Sequence, residues 1–231
     1  MISTILWDVD GTLLDFGAAE TAAVRSLFLE FGLGPCTDQM IARYSEINLR
    51  YWERLERKEL SKPDILVWRF RDFFSEYGID PSLAEAFNDK YQTRLGDTIV
   101  FRDNSYDLVK ALRGVVKQYV VSNGTILAQT KKLKASGLGA LMDGVYLSEE
   151  VGVEKPDVKF FEKVFLEIEE KDRSKVMIVG DSLTSDMQGG VNAGIVTCWY
   201  NPSKKPQKSS LHLDYEISDL HEVLRFVQVK E

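Results

Sequence analysis

The sequence predicts an α/β fold: a doubly wound, mostly parallel sheet with an all-helical domain inserted near the start of the chain. Short apolar and β-branched runs alternate with helical periodicity from Tyr106 onward, which is typical of βαβ units whose sheet is covered on both faces. Residues 17–97 show helical periodicity alone and are rich in aromatic side chains. The sequence therefore predicts a core domain of residues 1–16 and 98–231 and a helical domain of residues 17–97.

Each element is indicated by its apolar spacing and by the residue that ends the run. The first strand is an apolar run that ends at Asp8, and residues 16–19 are expected to form a flexible exit from it. Four helices follow in the helical domain, three of them ended by glycine: Gly32, Gly78 and Gly96. Later strands are expected at 115–121, 145–147, 175–179, 195–200 and 215–217, with helices between them and a last helix through 220–227.

Composition and charge limit the classes of partner. The 231 residues carry a formal net charge of -7 and the sequence pI is about 5.1, so no broad positive field is available for a nucleic-acid polymer or an anionic membrane. Cys36 and Cys198 are far apart and are expected to be reduced thiols. No signal-like start and no bilayer-length apolar stretch is found, which predicts a cytoplasmic protein.

Polar groups follow three of the predicted strands. Asp8 and Asp10 follow the first, the Ser122–Gly124 segment follows the second, and Asp181 follows a later one. In an open α/β sheet, ligands bind in a crevice outside the carboxyl ends of the strands. Two carboxylates placed together there repel each other unless a cation or a shared proton offsets the charge. The alternative is that Asp8 and Asp10 begin an ordinary acidic turn, because Asp and Gly are common turn formers.

These groups have complementary chemistry. The Ser122–Gly124 segment precedes a predicted helix, whose free N–H groups and dipole favour an anion. Lys155 precedes another helix and adds a positive charge, while Asp8 and Asp181 offer oxygen ligands to a hard divalent cation. Each feature has an ordinary structural alternative: a turn at Ser122–Gly124, a solvated Lys155, and a capping role for Asp181. Together they predict a site for an anionic phosphate, a cation and a nucleophile.

Four motifs occur in the order found in the haloacid dehalogenase (HAD) superfamily, and the chain resembles that superfamily over nearly its whole length. The run Asp8–Leu13 resembles the first motif, Ser122–Gly124 the second, Lys155–Pro156 the third, and Gly180–Asp186 the fourth. Residues 17–97 are similar to the family's helical cap. The resemblance implies a HAD-like core with an inserted cap.

Further segments resemble the house-cleaning pyrimidine 5′-nucleotidases more narrowly. They are residues 148–156, 189–194 and 197–199. One departure lies at residues 101–104, where many relatives carry a Pro-Gly pair. The return from the cap is therefore expected to differ in shape.

The resemblance implies a role for each acidic residue. Asp8 would attack phosphorus to give an aspartyl-phosphate, and Asp10 would protonate the leaving alcohol and then deprotonate the hydrolytic water. Mg²⁺ would be held by Asp8, Asp181 and the backbone carbonyl of Asp10. Asp186 would orient Lys155 or a metal-bound water. The proton-donating role of Asp10 favours a phosphatase over a dehalogenase, since a departing halide needs no proton.

The remaining motif residues are implied to bind the phosphoryl group or to support the site. Ser122, Asn123, Gly124 and Lys155 would stabilise charge on the transferring oxygens. Gly11 and Thr12 would shape the turn beside the nucleophile.

Substrate selection is expected to fall to the cap, which in this family closes over the site. Asn48 interrupts an otherwise apolar helix face, and Trp52 offers a ring for stacking on a nucleobase. The alternative is that these side chains pack between the cap helices.

We therefore expect a Mg²⁺-dependent phosphomonoesterase acting on a small phosphate monoester, most simply a (pyrimidine) nucleoside 5′-monophosphate. Within the same superfamily the alternatives are a sugar-phosphate phosphatase and a phosphomutase. An alternative of another class is a non-catalytic, phosphate-binding regulatory module. The protein is expected to be a monomer or a weak homodimer.

Overall fold

The computed structural model describes residues 1–207 and 210–227. Residues 208–209 and 228–231, which belong to the predicted core domain, lie outside the described residues. The helices are α1 (Phe16–Glu30), α2 (Asp38–Glu56), α3 (Lys62–Glu76), α4 (Ala84–Arg94), α5 (Ser105–Leu112), α6 (Ile126–Ser136), α7 (Ser148–Val151), α8 (Val158–Glu167) and α9 (Gln188–Ala193). The strands are β1 (Thr4–Trp7), β2 (Lys117–Ser122), β3 (Gly144–Leu147), β4 (Val176–Gly180), β5 (Val196–Tyr200) and β6 (Tyr215–Ile217).

The chain forms two compact units. The first, named the core unit, comprises Met1–Asp15 and Val100–Glu231, and the second, named the helical unit, comprises Phe16–Ile99. Within the described part of the chain, no helix combines the length and the apolar character that a membrane span requires.

A six-stranded sheet organises the core unit. Its strand order is β3-β2-β1-β4-β5-β6, and every neighbouring pair is parallel. Strand β1 is fully buried and lies between β2 and β4, with Trp7 in register with Val120 and Val179. The predicted α/β class with a parallel sheet is therefore confirmed. Because β1, β2 and β4 run side by side in one direction, their carboxyl ends reach the same edge.

Several elements differ from the sequence expectation. Helix α1 begins at Phe16, so residues 16–19 are helical and the flexible exit expected there is wrong. The alanines around Gly17 favour a helix strongly enough to offset one glycine. A single π-helical turn, Leu183–Met187, precedes α9, and a 3₁₀-helix, Leu220–Arg225, stands where an α-helix is expected.

Within the core unit, helix α9 packs closely against the sheet and against α8 through two adjacent glycines. A Cβ atom at Gly190 would lie 2.7 Å from the Cγ2 methyls of Ile178 and Thr197, and one at Gly189 would lie 2.7 Å from the Phe161 ring. Ile178 and Thr197 are β-branched, and their methyls are fixed close to the backbone of two buried strands. The helix therefore approaches the sheet at a distance that only glycine permits.

Replacing Gly190 by alanine tests this close packing. We expect Gly190→Ala to lower the free energy of unfolding by about 1–3 kcal/mol in urea titrations, because the added methyl overpacks the contact between α9 and the sheet. Helix propensity alone would act in the opposite direction by roughly 1 kcal/mol. The control Val191→Ala, at a half-exposed position of the same helix, should change stability by less than about 0.5 kcal/mol. A Gly190→Ala protein as stable as the wild type would contradict the close packing.

The helical unit has an aromatic core. The buried rings belong to Phe28, Tyr44, Phe70, Phe73, Phe74, Phe87 and Tyr91. Tyr44 stacks on Phe70 with ring centroids 4.9 Å apart, and Phe74 meets Phe87 edge to face at 5.1 Å. Such pairs add roughly 0.5–1.5 kcal/mol each beyond the burial of their area.

A chain of buried polar side chains crosses this aromatic core. Asn48 donates from Nδ2 to Oε2 of Glu20 at 2.8 Å, and its Oδ1 accepts from Nη1 of Arg69 at 2.7 Å. Nη2 of Arg69 donates to Oδ1 of Asn88 at 3.1 Å. Each of these four buried residues lies on a different helix of the unit. The polar chain therefore ties α1, α2, α3 and α4 together.

The two charged residues of this polar chain, Glu20 and Arg69, depend on its hydrogen bonds. Burial raises the pKa of Glu20, although hydrogen bonds from Ser45 and Asn48 and the charge of Arg69 act in the opposite direction. A buried group of this kind is stable only while its donors and acceptors are paired. Asn48 is the link that pairs Glu20 with Arg69.

We expect Asn48→Ala to lower the free energy of unfolding by about 1–3 kcal/mol, since it removes the acceptor of the buried Nη1 of Arg69 and leaves Oε2 of Glu20 with the long, 3.4 Å hydrogen bond from the Tyr91 hydroxyl. The measurement is urea unfolding followed by far-UV circular dichroism. Arg50→Ala, at an exposed position of the same helix, is the matched control and should change stability by less than about 0.5 kcal/mol. Equal stability of the two variants would show that Asn48 does not carry the connection.

Candidate active site

The carboxyl ends of three neighbouring strands bring the predicted polar residues of the core unit to one edge of the sheet. Asp8 directly follows β1, Ser122 ends β2, and Asp181 directly follows β4. The backbone N–H of Asp8 donates to the carbonyl of Val179 at 3.0 Å, so the pairing with β4 continues as far as the first acidic residue. The position of Asp8 is therefore fixed by the centre of the sheet.

Lys155 lies between two carboxylates and is only 1% exposed. Its Nζ donates to Oδ1 of Asp8 at 3.0 Å, to Oδ1 of Asp186 at 2.6 Å and to the carbonyl of Val121 at 2.8 Å. An ammonium group has three donors, and all three are used. Burial alone would lower the pKa of Lys155, but Asp186 and Asp8 outweigh it and the pKa is raised. Lys155 is thus a fixed positive charge beside Asp8.

Asn123 positions the backbone of Lys155. Its Nδ2 donates to the carbonyl of Lys155 at 2.9 Å, and its Oδ1 accepts from the backbone N–H of Lys155 at 2.9 Å. This reciprocal pair fixes the segment carrying the lysine to the loop after β2. The observed contacts of the Asn123 side chain therefore serve Lys155.

Asp186 is directed back toward the sheet by the π-helical turn Leu183–Met187. Its Oδ2 accepts from the backbone N–H of Ser182 at 3.1 Å. The carboxylate passes so close to Gly180 that a Cβ atom there would lie 2.3 Å from Oδ2. Glycine at the end of β4 is therefore a condition for the contact between Asp186 and Lys155.

Asp10 is held by two residues that the sequence reasoning did not identify. Nζ of Lys132 lies 2.5 Å from Oδ1 of Asp10, and Nε2 of Gln129 donates to Oδ2 at 2.6 Å. Both residues are buried and lie on α6. The available signal was their spacing: Gln129 and Lys132 are three residues apart on a helix that starts just after the second motif, so both face the same side.

The acidic residues fit a hard divalent cation. Oxygen atoms of Asp8, Asp181 and Asp186 lie within 4.8 Å of one another, and carboxylate oxygens are the ligands that Mg²⁺ prefers. Lys155 and Ser182 together bond both oxygens of Asp186, whereas Lys155 bonds Asp8 at Oδ1, so Asp8 and Asp181 are the better ligands. Gly11 lies beside them with φ +93°, and a Cβ atom there would lie 2.6 Å from Oδ2 of Asp181.

The electrostatics of these carboxylates also indicate a site for positive charge. Burial and the negative charge of Asp186 raise the pKa of Asp8 well above its usual value, with only Lys155 acting against them. The pKa of Asp181 is raised to about 7, first by desolvation among the surrounding protein atoms and then by Asp186. The Asp181 side chain nevertheless remains accessible to solvent. A bound cation would reverse this repulsion.

The other residues expected at the site are distributed over both units. Ser122 is buried and its Oγ accepts from the backbone N–H of Gly124 at 3.1 Å, while Thr12 Oγ1 lies 3.5 Å from Oδ1 of Asp181. Trp52 is half-buried on α2 of the helical unit. Asn48 is buried in the polar chain of that unit, where both ends of its amide are bonded. These contacts favour the packing alternative for Asn48, and its substrate-binding role stays a prediction.

Comparison with known proteins places this geometry in a family. A family model described as haloacid dehalogenase-like hydrolase matches residues 5–200. The HAD-hydrolase YfnB of Bacillus subtilis (strain 168) is 35% identical over 227 residues, which cover 98% of this chain and 96% of YfnB. A crystal structure of YfnB bound to magnesium superimposes with a TM-score of 0.90 and covers 97% of this chain and 98% of that chain.

Two further relatives carry names that describe an activity. The pyrimidine 5′-nucleotidase PynA of Streptococcus pneumoniae is 34% identical and is matched over 95% of this chain and 92% of PynA. The pyrimidine 5′-nucleotidase YjjG of Escherichia coli (strain K12) is 28% identical, with 95% of each chain covered. Since the family model spans most of the chain and the similarity to YfnB extends over nearly all of both proteins, the chain belongs to the haloacid dehalogenase-like hydrolase family, as its four motifs predict.

Proposed function

We propose that the protein is a Mg²⁺-dependent phosphomonoesterase that works through an aspartyl-phosphate on Asp8. The observation that carries the proposal is the contact of Asp8 with the buried ammonium group of Lys155, 3.0 Å away, next to a second carboxylate, Asp10, that is held separately. One acid is thus available for attack and the other for proton transfer. Asp181 completes an acidic edge at which a cation would bind.

Formation of the intermediate begins with Asp8. Its carboxylate oxygen attacks phosphorus while the bond to the leaving oxygen breaks, and Lys155 and the Ser122–Gly124 segment stabilise charge on the transferring oxygens. Asp8, Asp181 and the backbone carbonyl of Asp10 would hold Mg²⁺, which when bound removes the repulsion between the anionic nucleophile and the anionic phosphate. The Asp8 carboxylate therefore attacks phosphorus directly, without a base to remove a proton from it first.

Asp10 completes both half-reactions. It gives a proton to the leaving alcohol in the first, and in the second it takes a proton from the water that attacks the phosphoryl group on Asp8. This role favours ester hydrolysis over dehalogenation, because a halide leaves without a proton.

For the substrate we propose nucleoside 5′-monophosphates, with pyrimidines preferred. Support comes from PynA and YjjG, which are named pyrimidine 5′-nucleotidases and match nearly the whole chain. Trp52, half-buried on α2, is the side chain we propose for stacking on a base. We also propose the cytoplasmic location and the monomeric or weakly dimeric state expected from the sequence.

Hydrolysis of p-nitrophenyl phosphate with and without Mg²⁺ tests the chemistry. We expect turnover that EDTA abolishes and Mg²⁺ restores, and we expect Asp8→Asn to reduce kcat by about a thousandfold or more, because the amide is not a nucleophile. Asp107→Asn removes an exposed carboxylate of the same unit and should retain wild-type activity.

Two outcomes would count against the proposed chemistry. Wild-type protein that binds phosphate without metal-dependent turnover would indicate a non-catalytic regulatory module. Full activity of Asp8→Asn would exclude Asp8 as the nucleophile.

A substrate panel tests the specificity. UMP, dUMP and dTMP should give the highest kcat/KM when compared with purine monophosphates and sugar phosphates at equal Mg²⁺. A sugar phosphate hydrolysed much faster than any nucleotide would favour the sugar-phosphate phosphatase. Transfer of the phosphoryl group back to a sugar in place of release to water would favour the phosphomutase.

A further inference from the structure

The carboxylate of Asp10 is bonded at both of its oxygens by side chains of one helix. Lys132 Nζ lies 2.5 Å from Oδ1, and Gln129 Nε2 lies 2.6 Å from Oδ2. Gln129 has no exposed surface, Lys132 is 1% exposed, and the Asp10 side chain retains 23% of its exposure. The Asp10 carboxylate is therefore accessible to solvent, whereas the two side chains that bond it are buried.

The start of α6 orders the backbone that carries the two side chains bonding Asp10. The Thr125 side chain caps the helix by accepting from the backbone N–H of Ala128, and Gln129 bonds back to the carbonyl of Thr125 through its own backbone. Gln129 and Lys132, three residues apart, lie on the same face. Both donors therefore start from an ordered helical turn, and their burial restricts the rotamers with which they reach Asp10.

The close approach of the loop before α6 adds a second restraint. A Cβ atom at Gly124 would lie 2.3 Å from Nε2 of Gln129. The glycine of the second motif thus leaves room for the amide that reaches Asp10. Gln129 fills that room with its donor directed at the carboxylate.

The hydrogen bonding of the Gln129 side-chain amide indicates which contact determines its orientation. Its Oε1 is buried and has no hydrogen-bond partner among the described residues, whereas its Nε2 bonds Asp10. A buried unpaired acceptor is unfavourable, so the amide is oriented by the carboxylate and not by its own surroundings. The buried ammonium group of Lys132 likewise requires a negative partner in a dry environment, and Asp10 supplies one.

We propose that Gln129 and Lys132 are positioning residues that hold the Asp10 carboxylate in the one orientation from which it transfers a proton to the leaving oxygen. Each carboxylate oxygen has two lone pairs, so one bond to each oxygen still leaves a site for the proton. In the first half-reaction that proton moves from Asp10 to the alcohol oxygen as the P–O bond breaks. In the second, a proton of water moves to Asp10. This inference rests on the proposed function and adds the groups that orient its acid.

The test compares two esters whose leaving groups differ in their need for a proton. p-Nitrophenolate is weakly basic and leaves without protonation, whereas the alkoxide of a nucleotide or sugar phosphate does not. Lys132→Met and Gln129→Leu should lower kcat/KM for the best alkyl phosphate of the panel by about 30-fold or more, a part of the 10²–10⁴ that general acid–base catalysis supplies. The same variants should lower kcat/KM for p-nitrophenyl phosphate by less than about threefold.

The ratio of the two kcat/KM values is measured on one preparation, so it does not depend on the fraction of protein that is folded. A second measurement is the amount of phosphoryl group on the enzyme in acid-quenched turnover of labelled p-nitrophenyl phosphate. It should rise in both variants, because the hydrolytic water also loses its oriented base. Lys134→Met, an exposed lysine on the same helix, should leave the ratio and the trapped fraction unchanged.

An equal loss on both esters, or no loss on either, would overturn the positioning role, because a purely structural contribution reduces both activities together. Failure of the proposed function has a different signature. In that case the wild-type chain shows no metal-dependent turnover of either ester, and the positioning role is overturned with it.

Discussion

The structure of the core unit depends on one buried ammonium group between two carboxylates. Lys155 bonds Asp8 and Asp186 at once; Asp8 directly follows β1, and Asp186 lies in the π-helical turn after β4. Removing Lys155 would leave two neighbouring carboxylates without a counter-charge in a dry environment, which is strongly destabilising. The same contacts also fix the position of Asp8, the residue that we propose as the nucleophile. The bonds that stabilise this part of the core unit are therefore the ones that would orient the reacting group.

The core unit can form this arrangement because three positions close to it are glycines, which have no side chain. Gly11, Gly124 and Gly180 each lie where a Cβ atom would collide with a side chain of the candidate site, namely Asp181, Gln129 and Asp186. The helical unit also buries a cation. Arg69 donates to the amide oxygens of Asn48 and Asn88, and Asn48 connects it to Glu20. In both units a buried cation joins elements that are distant in the chain.

The sequence predicted the parallel sheet and the strand-end motifs because both arise from local patterns: β-branched runs ended by polar turns. It did not predict that Gln129 and Lys132 bond Asp10. Their spacing shows that they share one face of a helix, but it does not identify the residue that this face contacts. Asn48 stood out as a polar residue on an apolar face, and its partners, Glu20 and Arg69, lie on two other helices. A polar residue in an apolar pattern thus marks a buried contact without revealing what it contacts. The helical start at Phe16 was missed because Gly17 lowers helix propensity locally while the flanking alanines restore it.

The order of the sheet has a consequence for synthesis on the ribosome. Strand β1 is made first, yet its neighbours β2 and β4 come late in the chain, as do Lys155 and Asp186. At roughly 5–20 residues per second, a nascent polypeptide carries an unpaired apolar strand for many seconds before the sheet can close around it. The contiguous helical unit emerges complete within that interval. Strand β1 of a newly made chain is therefore open to aggregation and to chaperone binding until β2 and β4 have been synthesised.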